Sequence, residues 1–130
     1  MGAKEKALAL RSQGFNCAQS VLGALGEYTG LDEKTALALS AGFGGGVRCG
    51  EICGAVCGAV MALGLRHPWN DPEDASAKAE VARITMAFTK RFSEAHGCIR
   101  CFDLKHSGGY SCSELIAWAA ENAEDIMKID

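Results

Sequence analysis

Seven of the 130 residues are cysteines, and their thiols are the side chains in this sequence best suited to chemistry. As thiolates they are nucleophiles and ligands for soft metal ions. The segment 1–6 is charged and amphipathic, unlike the apolar region of a secretory signal, so we expect a cytoplasmic protein. Cysteines in that reducing compartment serve metal binding, catalysis or redox exchange more often than structural disulfides.

Three cysteines stand where the sequence predicts that helices begin. Cys17 follows the capping residue Asn16, Cys53 lies just inside a predicted helix, and Cys112 has a serine on each side. Unpaired N–H groups and the positive end of the helix dipole stabilise a thiolate at such a position. This placement suits a reactive thiol and an iron–sulfur ligand equally well, and a small buried hydrophobic residue is the third interpretation.

Cysteine also recurs every four residues, at Cys49, Cys53 and Cys57. On one helix these side chains would share a face. Two thiols one turn apart can hold one metal centre, but they point in parallel and make poor disulfide partners. Because glycine and alanine surround Cys57, this helix is suited to close packing, and we interpret Cys57 as a packing residue.

Residues 98–101 form a CxxC motif, Cys-Ile-Arg-Cys, with the spacing of redox and metal sites. A thioredoxin-type motif belongs to a βαβ unit, which the sequence lacks, and c-type haem attachment needs a histidine where Phe102 stands. The motif stays open as half of a four-cysteine zinc or iron–sulfur site. The other ligands would then come from the cysteines at predicted helix starts.

The elements that must position these cysteines are predicted to be helices, because apolar residues recur at helical spacing and period-2 alternation is nowhere sustained. We expect an all-α protein, a single compact domain over 1–130, with five or six helices. The predicted helices cover 3–13, 16–30, 33–41, 51–66 and 71–97, followed by a loop over 98–110 and a last helix capped by Ser111 or Ser113.

A glycine-rich segment, 42–46, is predicted to form a loop before the central helix that carries cysteines. A phosphate-binding loop is excluded, because the lysine and the serine or threonine of that motif are missing after Gly50. We interpret Gly44, Gly45 and Gly46 as cofactor-binding residues, whose amides can approach a cluster or an anion without side chains in the way.

With these motifs placed, the chain resembles the C_GCAxxG_C_C family of redox-active proteins, named for four cysteines around a CGAxxG core. The core corresponds to 53–58, the first cysteine motif to 14–19 and the glycine loop to 42–46. The resemblance implies an all-helical redox module, and related modules occur joined to cytochromes that carry an iron–sulfur centre. The family cysteines fall on Cys17, Cys53, Cys101 and Cys112, which leaves Cys49, Cys57 and Cys98 as additions.

We therefore predict a small redox protein in which those four family cysteines are both the catalytic residues and the metal ligands. Their most concrete use is an iron–sulfur cluster for electron transfer. One alternative is a metal-free thiol–disulfide redox protein with the same cysteines, and the other is a structural zinc-binding or partner-binding helical module without turnover. If the protein is an enzyme, we expect an oxidoreductase.

The expected partner is another redox component, whose identity the sequence leaves open, as it does whether the chain forms a homodimer. A net charge of -3 disfavours general binding of nucleic acid. The longest uncharged apolar run, 52–65, is shorter than the roughly 18 to 20 residues that span a bilayer, so membrane insertion is not expected.

Overall fold

The computed structural model describes residues 1–129, and all regular elements in that range are helical. The predicted all-α class is confirmed. Eight α-helices lie in the described range, where the sequence predicted five or six. They are α1 (Ala3–Ser12), α2 (Cys17–Ala24), α3 (Gly26–Thr29), α4 (Glu33–Ser40), α5 (Gly54–Arg66), α6 (Ala75–His96), α7 (Cys101–His106) and α8 (Cys112–Ile129).

Two short helices account for the higher count. The helix predicted over 16–30 breaks at Leu25, whose backbone leaves the helical region with φ -102 and ψ 16, and the single turn α3 follows. The predicted loop over 98–110 is wrong in part, because α7 occupies six of its residues. A helix of that length is too short to display a clear apolar period in the sequence.

Two helices begin later than predicted. α5 begins at Gly54 instead of near 51, because Ile52 forms an isolated antiparallel β-bridge with Arg100 and its backbone is therefore extended. α6 begins at Ala75 instead of at 71, because the Asp74 carboxylate accepts a hydrogen bond from the Ala77 N–H at 2.9 Å and caps the helix there.

Side-chain caps also define where the two helices that begin with a cysteine, α2 and α8, start. Asn16 and Gln19 form a reciprocal capping box at the start of α2. The Ser111 hydroxyl accepts the Glu114 N–H at 3.1 Å, so Ser111 rather than Ser113 caps α8. These caps place Cys17 and Cys112 in the first position of their helices.

Helix α2 lies at the centre of the fold and packs against α1, α4, α5 and α8. The largest fully buried side chains come from several of these helices and from α6; they include Leu22, Leu25, Leu63, Phe88, Phe92 and Ile116. They belong to one hydrophobic core. No helix within 1–129 is long and apolar enough to cross a membrane.

A buried carboxylate joins α1 to α8. Glu124 on α8 accepts the Ala3 N–H at 3.2 Å, which satisfies an unpaired donor at the start of α1, and it also accepts the Tyr28 hydroxyl at 3.0 Å. Lys128 lies 3.8 Å from the same carboxylate. This contact fixes the start of α1 beside α8.

Candidate functional site

Each of the four cysteines to which the resemblance assigns the family positions stands at the amino terminus of a helix. Cys17, Cys101 and Cys112 are the first residues of α2, α7 and α8, and Cys53 immediately precedes α5. The sequence predicts this position for three of them. It does not predict it for Cys101, because α7 falls in a segment predicted to be a loop.

Two glycines of α5 bring Cys53 to Cys17. A Cβ added to Gly54 would lie 3.2 Å from the Cys17 Cβ, and one added to Gly58 would lie 2.7 Å from the carbonyl oxygen of Ala18. The backbones of α2 and α5 therefore touch along this line, at a separation that a side chain on α5 would prevent. The glycines of the CGAxxG core thus have a direct structural role, which is to seat one cysteine-bearing helix start against another.

The isolated β-bridge brings Cys53 to Cys101. The Cys53 N–H donates to the Ile99 carbonyl at 2.8 Å, and the Cys101 N–H donates to the Glu51 carbonyl at 2.6 Å. Because side chains alternate between the two sides of an extended backbone, Cys53 and Cys101 lie on the same side of the bridge. An ion pair between Arg100 and Glu51, 3.0 Å apart, also joins the two segments of the bridge.

Cys17 and Cys112 act on each other's ionisation more strongly than any other group does. A hydrogen bond from the protonated Cys17 thiol to the ionised Cys112 sulfur is the largest influence on the pKa of both. This bond, followed by the positive charges of Lys105 and Arg11, lowers the pKa of Cys112 to about 5, although partial burial opposes the shift. The same bond and burial raise the pKa of Cys17 far above its ordinary value. One thiolate and one thiol therefore share the proton of this pair at neutral pH.

Cys53 and Cys101 have the opposite character. Burial raises the pKa of Cys53 to about 11, even though the backbone N–H groups of Val56 and Ala55 point at its sulfur and favour the thiolate. Burial likewise raises the pKa of Cys101 above its ordinary value. Both side chains are therefore protonated thiols at neutral pH.

The four thiols act on one another's ionisation. A charge on Cys53 would oppose ionisation of Cys17, and charges on Cys101 and Cys112 would oppose ionisation of Cys53. Cys112 has the same effect on Cys101. The fold therefore brings all four into one electrostatic neighbourhood. In the described part of the chain, no group of three or more His, Cys, Asp or Glu side chains is arranged to hold a metal ion.

The comparison with protein families gives a match over most of the chain. The family model described as "Putative redox-active protein (C_GCAxxG_C_C)" matches residues 15–126. The chain belongs to this family. The matched segment contains all four cysteines described above. Neither the curated proteins nor the solved structures include a match to the chain.

The glycine segment of this family member wraps over two of the cysteine positions. A Cβ on Gly44 would collide with the side chain of Asn16, the cap of α2, and one on Gly46 would lie 2.8 Å from the Cys101 Cβ. Gly45, Gly46, Val47 and Arg48 all have left-handed backbone conformations. The assignment of Gly44, Gly45 and Gly46 to cofactor binding stays a prediction.

The three additional cysteines have separate surroundings. The Cys49 thiol is exposed and lies 3.5 Å from the Gly46 carbonyl, while those of Cys57 and Cys98 lie 3.9 and 4.0 Å from backbone carbonyls. All seven cysteines are free thiols.

Two cations beside the Cys17–Cys112 pair are not predicted from the sequence. Arg11 lies on α1 and Lys105 in the last turn of α7, and the positive charges of both lower the pKa of Cys112. No local spacing relates either residue to Cys112, because tertiary packing of three helices creates the contact.

Proposed function

We propose that the chain is a thiol–disulfide redox protein in which Cys112 is the nucleophile and Cys17 is the resolving cysteine. The observation that carries this proposal is that two cysteines at helix starts, Cys17 and Cys112, are each the largest influence on the other's pKa. Cys112 stands at a helix amino terminus and beside two cations, which is the environment of a reactive thiolate. Cys17 is buried behind it, within reach of the Cys112 sulfur.

The reaction follows ordinary thiol–disulfide exchange. The Cys112 thiolate attacks one sulfur of a disulfide substrate, the substrate S–S bond breaks, a thiolate leaves, and a mixed disulfide forms. Cys17 then loses its proton to solvent and attacks the Cys112 sulfur, which expels the second thiolate and closes the Cys17–Cys112 disulfide. The substrate gains two electrons and the protein loses two. A dithiol partner protein restores both thiols by the reverse exchange.

The resting state of the pair favours this order of events. While Cys112 is a thiolate, its hydrogen bond holds the proton of Cys17 and keeps that thiol unreactive. Once Cys112 is part of a mixed disulfide, its negative charge is gone and the largest cause of the raised Cys17 pKa is removed. Cys17 becomes easier to deprotonate at the step that needs its thiolate.

An iron–sulfur cluster for electron transfer is the second candidate, and a different observation favours it. Four cysteines stand at four helix amino termini within range of one another's charge, and four thiolates are the usual ligand set of a cluster. The N–H groups of Ala55 and Val56 that point at the Cys53 sulfur are donors of the kind that tune a cluster. Cys17, Cys53, Cys101 and Cys112 would hold it, and it would supply one-electron transfer.

The two candidates differ in what purified protein contains. We expect protein prepared without oxygen to be colourless and free of iron, sulfide and zinc, and to lose two of its seven thiols on mild oxidation. Cys17→Ser and Cys112→Ser should each prevent that loss, while Cys57→Ser serves as the matched control and should lose two thiols as the wild type does. Stoichiometric iron and acid-labile sulfide would instead establish the cluster, and zinc with no redox change would establish a structural module.

The proposed reaction cycle indicates where the protein works and what kind of partner it has. A thiolate that cycles through a disulfide requires a supply of reducing equivalents, so we propose a cytoplasmic location and a dithiol protein as partner. Labelling of the chain in intact cells with membrane-permeant and impermeant thiol reagents tests the location. Capture of the disulfide substrate by a Cys17→Ser variant, which would stall at the mixed disulfide with Cys112, tests the exchange.

A further inference from the structure

A cleft of about 220 Å³ lies between α6 and α8, among residues that the proposed thiol chemistry does not use. Its apolar walls are formed by Ile84 and Ala87 of α6 and by Ile126 and Ile129 of α8. Ile84 is buried and Ile126 is half-buried, whereas Ile129 is exposed at the edge. The α8 residues of the cleft lie about 20 Å along the helix from Cys112, so the cleft is separate from the cysteine pair.

Two arginines of α6 border these apolar walls. The Arg83 guanidinium is engaged, because it donates to both oxygens of the Glu80 carboxylate at 3.1 and 2.6 Å. Arg91 is exposed, and within residues 1–129 its guanidinium makes no hydrogen bond and no ion pair. One positive charge that no carboxylate of this range neutralises therefore stands at the edge of an apolar cleft.

The other carboxylates close to this cleft along the two helices do not line it. Glu94 follows Arg91 by three residues on α6, and Glu121 and Asp125 lie on α8 shortly before Ile126. All three are exposed, and none of them contributes to the walls. The two arginines are therefore the charged side chains that a ligand in the cleft would meet first.

The volume of the cleft limits the size of a ligand. An apolar cavity of about 150 Å³ holds one benzene molecule, and sites for drug-sized ligands begin at about 300 Å³. At about 220 Å³, this cleft has room for one ring or a short branched chain. A long acyl chain would extend beyond its walls.

We propose that the cleft between α6 and α8 binds a small monocarboxylate with a compact apolar body. The apolar body would cover Ile84, Ala87 and Ile126 and leave water, which is favourable. The carboxylate would accept two parallel hydrogen bonds from the Arg91 guanidinium. Because Arg83 is already paired with Glu80, one cation is available, and it matches a monoanion better than a phosphate monoester with about 1.5 to 2 negative charges at pH 7.

The test compares three compounds that share one ring and differ in charge. At pH 7 cyclohexanecarboxylate is anionic, cyclohexylmethanol is neutral and cyclohexylmethylammonium is cationic. Each compound is titrated into the reduced chain at constant pH and ionic strength, and binding is followed from the backbone amide NMR shifts of α6 and α8. We expect the carboxylate to bind with a dissociation constant of ~10 mM or tighter, about fivefold below that of the alcohol, and the ammonium compound to bind most weakly.

Variants of exposed α6 residues test the role of each part of the cleft. Arg91→Gln should weaken binding of the carboxylate by about fivefold and leave that of the alcohol unchanged. Lys90→Gln removes the same charge from the neighbouring residue, which does not line the cleft, and should retain the wild-type preference. Ala87→Phe places a ring inside the cleft and should prevent binding of all three compounds.

Several results would overturn the carboxylate site. They are the absence of a saturable shift with the carboxylate, equal affinities for the carboxylate and the alcohol, and an unchanged preference in Arg91→Gln. Shifts of the same amides that depend on protein concentration without any compound would also overturn it, because a second copy of the chain would then occupy the cleft. Cys112→Ser should bind the carboxylate as the wild type does, so this site and the redox pair are tested separately.

Discussion

Cys112 and Cys53 both stand where a helix begins, yet their surroundings move their pKa values in opposite directions. Cys112 is half-buried, receives a hydrogen bond from Cys17 and lies beside two cations, and its pKa falls to about 5. Cys53 is buried, and its pKa rises to about 11 although two backbone N–H groups point at its sulfur. A helix amino terminus therefore does not by itself activate a thiol, because burial can outweigh it.

The Cys53–Cys101 pair and the Cys17–Cys112 pair also differ in the interactions that hold them. Cys53 and Cys101 are positioned by backbone contacts, namely two hydrogen bonds across the β-bridge and the close approach of α5 to α2. Cys17 and Cys112 are joined through their own side chains and surrounded by charged groups. The backbone fixes the positions of Cys53 and Cys101, whereas Cys17 and Cys112 interact through their thiols.

The largest expected effect is on thiol reactivity at low pH. Iodoacetamide at pH 6 should alkylate one cysteine of the wild type at least about tenfold faster than an ordinary thiol, because a group with a pKa of about 5 is mostly thiolate there and this outweighs its lower intrinsic nucleophilicity. The rate should fall as pH drops through about 5, since protonation removes the nucleophile, and it should level off above about pH 6. Stopped-flow alkylation followed by peptide mapping measures both.

Serine variants show whether the reactive thiol belongs to the Cys17–Cys112 pair or to the Cys53–Cys101 pair. Cys112→Ser should abolish the fast phase, whereas Cys53→Ser should leave it almost intact. A fast phase that survives in Cys112→Ser and disappears in Cys53→Ser would reverse the comparison.

The next largest effect concerns the contact that seats Cys53. Gly58→Ala should lower the free energy of unfolding by about 2 kcal/mol, because the new methyl group would press on the Ala18 carbonyl and force α2 and α5 apart. Gly64→Ala is the matched control on the same helix. A Cβ at Gly64 would meet nothing within 4 Å, so this change should stabilise by about 0.5–1 kcal/mol. Equal effects of the two changes in urea denaturation would show that the close approach is not needed.

A smaller effect is expected in the turn that covers Cys101. Val47 has a φ of 58°, a conformation that is costly for a β-branched residue. Val47→Gly should therefore raise the free energy of unfolding by about 1 kcal/mol and leave the fast thiol unchanged. Val60→Gly, in the regular helix α5, should have the opposite sign. Loss of the fast thiol in Val47→Gly would mean that this turn also supports Cys112.

The smallest effect is expected at the ion pair that spans the β-bridge. The side chains of Arg100 and Glu51 are about half exposed, so solvent screens their attraction. Arg100→Gln should change the free energy of unfolding by only a few tenths of a kcal/mol, because backbone hydrogen bonds hold the bridge. A loss above about 1 kcal/mol in thermal unfolding would show that charged side chains position this pair as well.

Local signals explain which parts of the fold are predictable. Asn16 and Asp32 precede apolar periodic segments and have side chains that cap a helix, so the starts of α2 and α4 follow from the sequence. α7 has six residues and no side-chain cap, so the sequence does not predict it. Asp71-Pro72 has the residue types of a helix start, but Asp74 is the residue that caps α6. Long, capped, periodic helices are visible in a sequence, and short helices fixed by tertiary contacts are not.

The candidate site likewise has one part that the sequence predicts and one part that it does not. The position of Cys17 and Cys112 at helix starts is a local property and is predictable. Their mutual contact depends on the packing of α1 and α2 against α8, which the buried Glu124 helps to fix, and no short-range pattern encodes it. For the same reason the roles of Arg11 and Lys105 emerge only once the helices are assembled.

The most direct test of the Cys17–Cys112 pair is to identify which disulfide forms first. Fully reduced, iron-free protein is treated with one equivalent of diamide at pH 7, its remaining thiols are alkylated, and the peptides are mapped by mass spectrometry. We expect a single cross-link between Cys17 and Cys112, with the other five cysteines alkylated. A first cross-link between Cys98 and Cys101, or between Cys53 and Cys101, would contradict the assignment of the redox pair.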